Sequence, residues 1–167
     1  ECEFCRKGEQ SMCVDYKMMG EHVRGVHSEL AAVPEDNLIT LPEDVDFVTA
    51  ASAPLVFQTA WRMLMTRVGI DQSDSVLVLG ASGGVGHACV QIAANEGCEV
   101  FATASSEEKL DLARECGADH LINYEEEDFA DAAKELTDGR GVDVVVDHVG
   151  EATWDTSLSA AANGGSI

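Results

Sequence analysis

From Ser75 onward, short apolar runs alternate with segments of helical period. Ser75–Leu79 is nearly continuous in apolar side chains and reads as a buried strand, as do Cys98–Thr103, His120–Asn123 and Val142–His148. Between them the spacing predicts helices over Gly84–Asn95, Glu107–Cys116, Asp128–Leu136 and Ala152–Ala162, with Gly117 as a C-terminal stop. The inner face of the first of these is Val85, Ala88, Cys89, Ile92 and Ala93. Gly164–Gly165 then lead toward a fifth strand. Strands and helices alternating at these lengths predict an α/β fold, a doubly wound parallel sheet covered on both faces, with right-handed crossovers.

The first 74 residues follow a different pattern. Residues 1–20 are Cys-rich and show little periodicity, and Glu29–Val33 and Leu38–Leu41 read as short strands punctuated by Pro34 and Pro42. From Asp44 to Val68 the period is helical, with a break expected at Pro54, after which Trp61, Leu64 and Met65 mark one face of a second helix. The domains expected are residues 1–50 and 51–167. The chain begins mid-motif and without Met, which reads as a fragment that would itself be inactive.

Charge narrows the partners. The 167 residues carry 31 acidic and 10 basic side chains, a net charge of −21, which disfavours nucleic acid and anionic membrane surfaces. The acids are spread along the chain, densest at Glu125–Asp128. They suit either a well-solvated acidic protein or a halophilic one, whose carboxylate-rich surface is screened by salt. No apolar run is long enough to span a bilayer. The six cysteines do not form a secreted disulfide framework, and a reducing, cytoplasmic setting is expected. Cys89, Cys98 and Cys116 sit among apolar neighbours and read as small buried hydrophobes.

Two motifs carry chemistry. Gly80-Ala81-Ser82-Gly83-Gly84-Val85-Gly86 follows a strand and opens a helix. This is the context in which glycines let a backbone approach a pyrophosphate at a helix N-terminus. The next strand ends Phe101-Ala102-Thr103-Ala104-Ser105-Ser106. It has no acid at its end to take the ribose hydroxyls of NAD, and Lys109 one turn on offers a charge for the 2′-phosphate of NADP. Ser105 with Glu108 also reads as a helix capping box, and Glu107 and Glu108 would repel a phosphate. Cys2-x2-Cys5-x7-Cys13 brings three thiols into one loop, one short of a closed tetrahedral zinc site.

Taken in order, CEFCRKGEQSMC, VPEDNLITLPEDV, APLVFQTAW, GASGGVG, FATASSEEKL, GADHLINY and VDVVVDHVG resemble the medium-chain dehydrogenase/reductase superfamily, which includes zinc alcohol dehydrogenases and NADPH:quinone oxidoreductases. The resemblance implies a truncated Rossmann domain preceded by part of a GroES-like β domain. It implies NADP, with NAD possible, and a structural zinc. Cys2, Cys5 and Cys13 match the second, third and fourth ligands of the family's zinc lobe, and the first would lie before Glu1. It implies that Gly83, Gly84 and Val85 hold the pyrophosphate, that Ser82 also belongs to the cofactor site, and that Ser105, Ser106, Lys109 and Tyr124 surround the adenosine end. Thr59 would lie near the nicotinamide, while His148 and Val149 would edge the cleft. Zinc alcohol dehydrogenases place a catalytic ligand four residues before the threonine that Thr59 resembles; here that residue is Leu55, which cannot bind metal. The expected function is hydride transfer between NADP(H) and a small carbonyl, enone or quinone, by a homo-oligomer (dimer or tetramer). A zinc-dependent alcohol dehydrogenase and a non-catalytic nucleotide-binding regulatory protein are the alternatives.

Overall fold

The computed structural model describes residues 2–167. The chain forms two compact units that divide between Pro42 and Glu43, eight residues before the division expected from sequence.

In the first unit, helix α1 (Glu3–Arg6) and a 3-10 turn at Gln10–Met12 frame the cysteines. Neither Glu29–Val33 nor Leu38–Leu41 forms a strand. A 3-10 turn at Glu35–Asn37 separates the two runs, and Leu30 and Ile39 stand in solvent. Extended backbone becomes a strand only when another strand takes up its hydrogen bonds, and among the described residues none does. The only bridge in this unit joins Met19 and Val23, among the described residues.

The second unit opens with α2 (Phe47–Ser52) and α3 (Pro54–Trp61), continued by a π-helical turn at Arg62–Val68 that Gly69 ends in a left-handed conformation. Pro54 stands at the first position of α3, where its missing N–H is not needed. Asp46 caps α2 by accepting from the amides of Val48 and Thr49. Leu64 is buried whereas Trp61 is exposed, so these two do not share an inward face.

Five parallel strands follow: β1 (Ser75–Val78), β2 (Glu99–Ala104), β3 (His120–Asn123), β4 (Val142–Val146) and β5 (Ala161–Ser166). The helices between them are α4 (Gly84–Glu96), α5 (Glu107–Glu115), α6 (Phe129–Leu136) and α7 (Trp154–Ala160). The sheet order is β3-β2-β1-β4-β5. Strand side chains alternate between the faces. Val76, Val78, Val100, Ala102, Val144 and Val146 join one core with Ala88, Cys89 and Ile92 of α4. Leu77, Phe101, Ile122 and Val145 join the other with Ala130 and Ala133 of α6. Both faces are thus dry, which is why these strands read as continuous apolar runs.

β5 begins at Ala161, earlier than the sequence suggests, and α7 is correspondingly shorter than the expected Ala152–Ala162. The strand carries Gly164 and Gly165 within it. A Cβ on Gly165 would lie 2.8 Å from the Asp143 carbonyl oxygen, so this bulged pairing requires glycine. Among the described residues, no helix is long and apolar enough to cross a membrane.

Candidate functional site

Strand order reverses between β1 and β4, with β2 and β3 to one side and β5 to the other. The crevice at the carboxyl ends of these strands is where open α/β sheets bind ligands. The loop Gly80–Gly86 fills it. Gly80 has φ +56°, and the amide of Ala81 donates to the Thr103 carbonyl at 2.9 Å, tying the loop to β2. Gly83 is the N-cap of α4 and supplies no side-chain cap; His87 N closes the first helical bond to the Gly83 carbonyl at 2.7 Å. The amides of Gly84, Val85 and Gly86 lie in that uncapped first turn, where a helix leaves its N–H groups without intrahelical partners. Two glycines are required by contact. A Cβ on Gly86 would lie 2.4 Å from the Gly80 carbonyl oxygen, and one on Gly84 would lie 2.9 Å from Val56 Cγ1. Ser82 and Val85 are half-buried and Gly83 is exposed.

At the end of β2, Lys109 Nζ donates to Ser105 Oγ at 2.8 Å. The helix N-cap is Ser106 rather than Ser105, and no side chain caps it, so the capping box does not form. Ser105, Ser106 and Lys109 therefore stand together at the strand end, beside Glu107 and Glu108 in the first helical turn. A hollow of about 380 Å³ lies next to this corner, lined by Leu79, Gly80, Thr103, Tyr124, Phe129 and Val149 among others. Tyr124 is half-exposed, as a side chain that walls an open cleft would be. Two of the larger hollows lie elsewhere. One is at the amino ends of the strands, around Asp74, Glu99 and Asp143; the other is in the first unit, between Met19 and Ala32. Neither includes a residue of the glycine loop.

Asp147 follows directly on β4, and the sequence pattern did not single it out. Burial pushes its carboxyl up, but hydrogen bonds from the Gly150 amide, Thr153, Ser157 and the Val149 amide outweigh this and hold it below the usual carboxylate value. No motif flagged it, because its partners are backbone amides and hydroxyls up to ten residues downstream. His148, next along, lies against the loop: its Nε2 is 3.4 Å from where a Cβ on Gly80 would stand. Thr59 is exposed on α3, its hydroxyl donating to the Leu55 carbonyl at 2.7 Å, and Leu55 itself is 76% exposed.

The sulfurs of Cys2, Cys5 and Cys13 lie within 4.8 Å of one another in the first unit, with Cys2 and Cys5 3.7 Å apart. Backbone hydrogen bonds from Cys5 and then Val14 lower the Cys2 thiol to about 6. For Cys13, the Asp15 amide acts to lower the value, but the Cys5 and Cys2 thiols together with burial raise it overall. Three soft donors facing one point, one of them readily ionised, fit a zinc ion. The other cysteines are unlike them. Burial pushes Cys89 up to about 12 and Cys98 up to about 11. Cys116 is half-buried, 3.3 Å from His87 Nδ1, and is also raised by burial.

A family model described as zinc-binding dehydrogenase matches residues 84–167. The 2-haloacrylate reductase of a Burkholderia species is 40% identical over 136 residues, covering 80% of this chain and 41% of that protein. A crystal structure of an NAD-dependent alcohol dehydrogenase superposes with a TM-score of 0.94 at 43% identity, covering 98% of this chain and 48% of that one. The Escherichia coli quinone oxidoreductase complexed with NADPH gives 0.72 at 35% identity, covering 76% of this chain and 39% of that one. The chain thus spans less than half the length of these relatives. With the model matched over half its residues, and with the glycine loop seated at the switch point of a parallel sheet, the chain belongs to the zinc-binding dehydrogenase family of the medium-chain dehydrogenase/reductase superfamily.

Proposed function

We propose that the protein is an NADPH-dependent reductase acting on a small carbonyl, enone or quinone, with a structural zinc and no catalytic zinc at Leu55. The observation that carries this is the uncapped N-terminus of α4 inside the glycine loop, beside a strand end that offers Ser105 and Lys109 instead of an acid. NADPH, when bound, supplies the hydride. The amides of Gly84, Val85 and Gly86 hold the pyrophosphate, with Ser82 and Gly83 shaping the turn. Lys109, already paired with Ser105, and Ser106 take the 2′-phosphate. Tyr124, Val149 and Thr103 wall the base, and His148 borders the loop. Thr59 lies toward the nicotinamide by analogy with the family. Leu55 offers no lone pair, so the charge developing on the acceptor falls to hydrogen-bond donors. Cys2, Cys5 and Cys13, with one further ligand, would hold the structural zinc.

The test is NADPH oxidation by the full-length protein with quinones, enones and aldehydes, together with its zinc content. Turnover with one class and one zinc per chain is expected. Tight NADPH binding without turnover of any of the three would overturn the reading. Zinc-dependent alcohol dehydrogenation is the second reading, favoured by the alcohol dehydrogenase structure that matches 98% of the chain. Two zinc ions per chain would support it instead.

A further inference from the structure

Asp147 lies outside the residues that line the cleft, yet it bonds to two that do. Its Oδ1 accepts from the amides of Val149 and Gly150 at 2.9 and 3.0 Å. Its Oδ2 accepts from the hydroxyls of Thr153 and Ser157, both at 2.7 Å. Val149 and Thr153 line the hollow beside Gly80. Ser157 is wholly buried in α7, so one oxygen is anchored in the core while the other holds the turn. Gly150, with φ +91°, lets the chain fold back around the carboxylate. Thr153 is the N-cap of α7 but caps no amide with its hydroxyl, which is committed to Asp147 and to the Gly150 carbonyl at 3.1 Å.

We propose that Asp147 is the positioning residue of the dinucleotide cleft, fixing the turn after β4 so that Val149 faces the base pocket and His148 faces the glycine loop. This rests on the cofactor reading above. His148 and Val149 are consecutive residues of this turn: Val149 lines the hollow, and His148 Nε2 lies against Gly80. One turn held at its base therefore sets both walls. If the turn were free, each binding event would have to order it, and that cost would appear as lost affinity.

Geometry and charge can be separated. Asp147→Asn keeps the Oδ1 acceptor for both amides. Its new NH2 can donate to the hydroxyl oxygens of Thr153 and Ser157 while Thr153 turns its own proton to Gly150. Asp147→Glu keeps the charge but moves the carboxylate by one methylene. NADPH affinity is measured on the purified protein and its variants, at a temperature where circular dichroism shows each folded. We expect Asp147→Ala to weaken binding by about tenfold, Asp147→Glu by about fivefold, and Asp147→Asn by no more than about twofold. Ser157→Ala, which lowers stability but leaves both Oδ1 bonds, is expected to change affinity by less than about twofold. Affinities that follow melting temperature across the series, or an Asp147→Glu protein that binds as well as Asp147→Asn, overturn the assignment. If Asp147→Ala does not fold, the order of the Asn and Glu variants decides. Wild-type binding with all variants unchanged overturns this role alone. A wild-type protein that binds neither NADPH nor NADH overturns the cofactor reading and this role with it.

Discussion

Gly86 shows how much a single missing Cβ can carry. Its would-be neighbour is the Gly80 carbonyl oxygen at 2.4 Å, a backbone atom held within the loop and unable to swing aside. Gly86→Ala is expected to cost about 1–3 kcal/mol of stability, read by urea or thermal unfolding. The role of that glycine was legible in the sequence, because close packing of strand and helix is what the motif encodes. The roles of Ser105 and Lys109 were only half legible. Spacing offered a capping box or a phosphate site, and the N-cap falling at Ser106, with no side-chain cap, removes the first. Lys109→Ala is expected to weaken NADPH by about tenfold while leaving NADH nearly unchanged, a difference readable by titration of both cofactors. Asp147 was not legible at all, since nothing in a one-dimensional pattern marks a carboxylate whose donors are amides and hydroxyls around a turn.

Elements fared according to how much of their context lies within the chain. Strand β3 runs over the residues expected, because its partner β2 and its cover are local. Glu29–Val33 and Leu38–Leu41 carry strand-like composition, but composition cannot supply a neighbouring strand. The dense acids at Glu125–Asp128 are more than a solvated run. Asp128 caps α6 through the amides of Ala130 and Asp131, and Glu126 accepts from Asn123 Nδ2. Asp128→Ala is expected to cost about 1 kcal/mol in unfolding free energy. Between β1 and β4, Asp143 bridges Arg140 and Ser75, and its bond from Arg140 is the chief cause holding its carboxyl well below the usual range. Asp147 is depressed as well. Groups with lowered folded pKa contribute stability that is complete above the unfolded value, near about 4, and lost as pH falls through the folded one. Melting temperature should therefore drop on acidification below about pH 4, and drop less steeply in Asp143→Asn, whose amide cannot be protonated in that range.

At the scale of the whole molecule, charge outweighs any single contact. A net charge of −21 makes the folded state repel itself, and salt relieves that repulsion. We expect melting temperature to rise with KCl concentration; a flat or falling curve would count against adaptation of this surface to high salt. The acids also crowd the corner where the adenosine end of the cofactor is proposed to sit. Glu107 and Glu108 open α5, Glu127 lines the neighbouring hollow, and Lys109 is the cation paired with Ser105 there. A dinucleotide phosphate approaching this corner meets a field of its own sign, so the encounter itself is hindered before any contact forms. Stopped-flow association of NADPH should accelerate as ionic strength rises, the reverse of what electrostatic steering gives, with dissociation little changed.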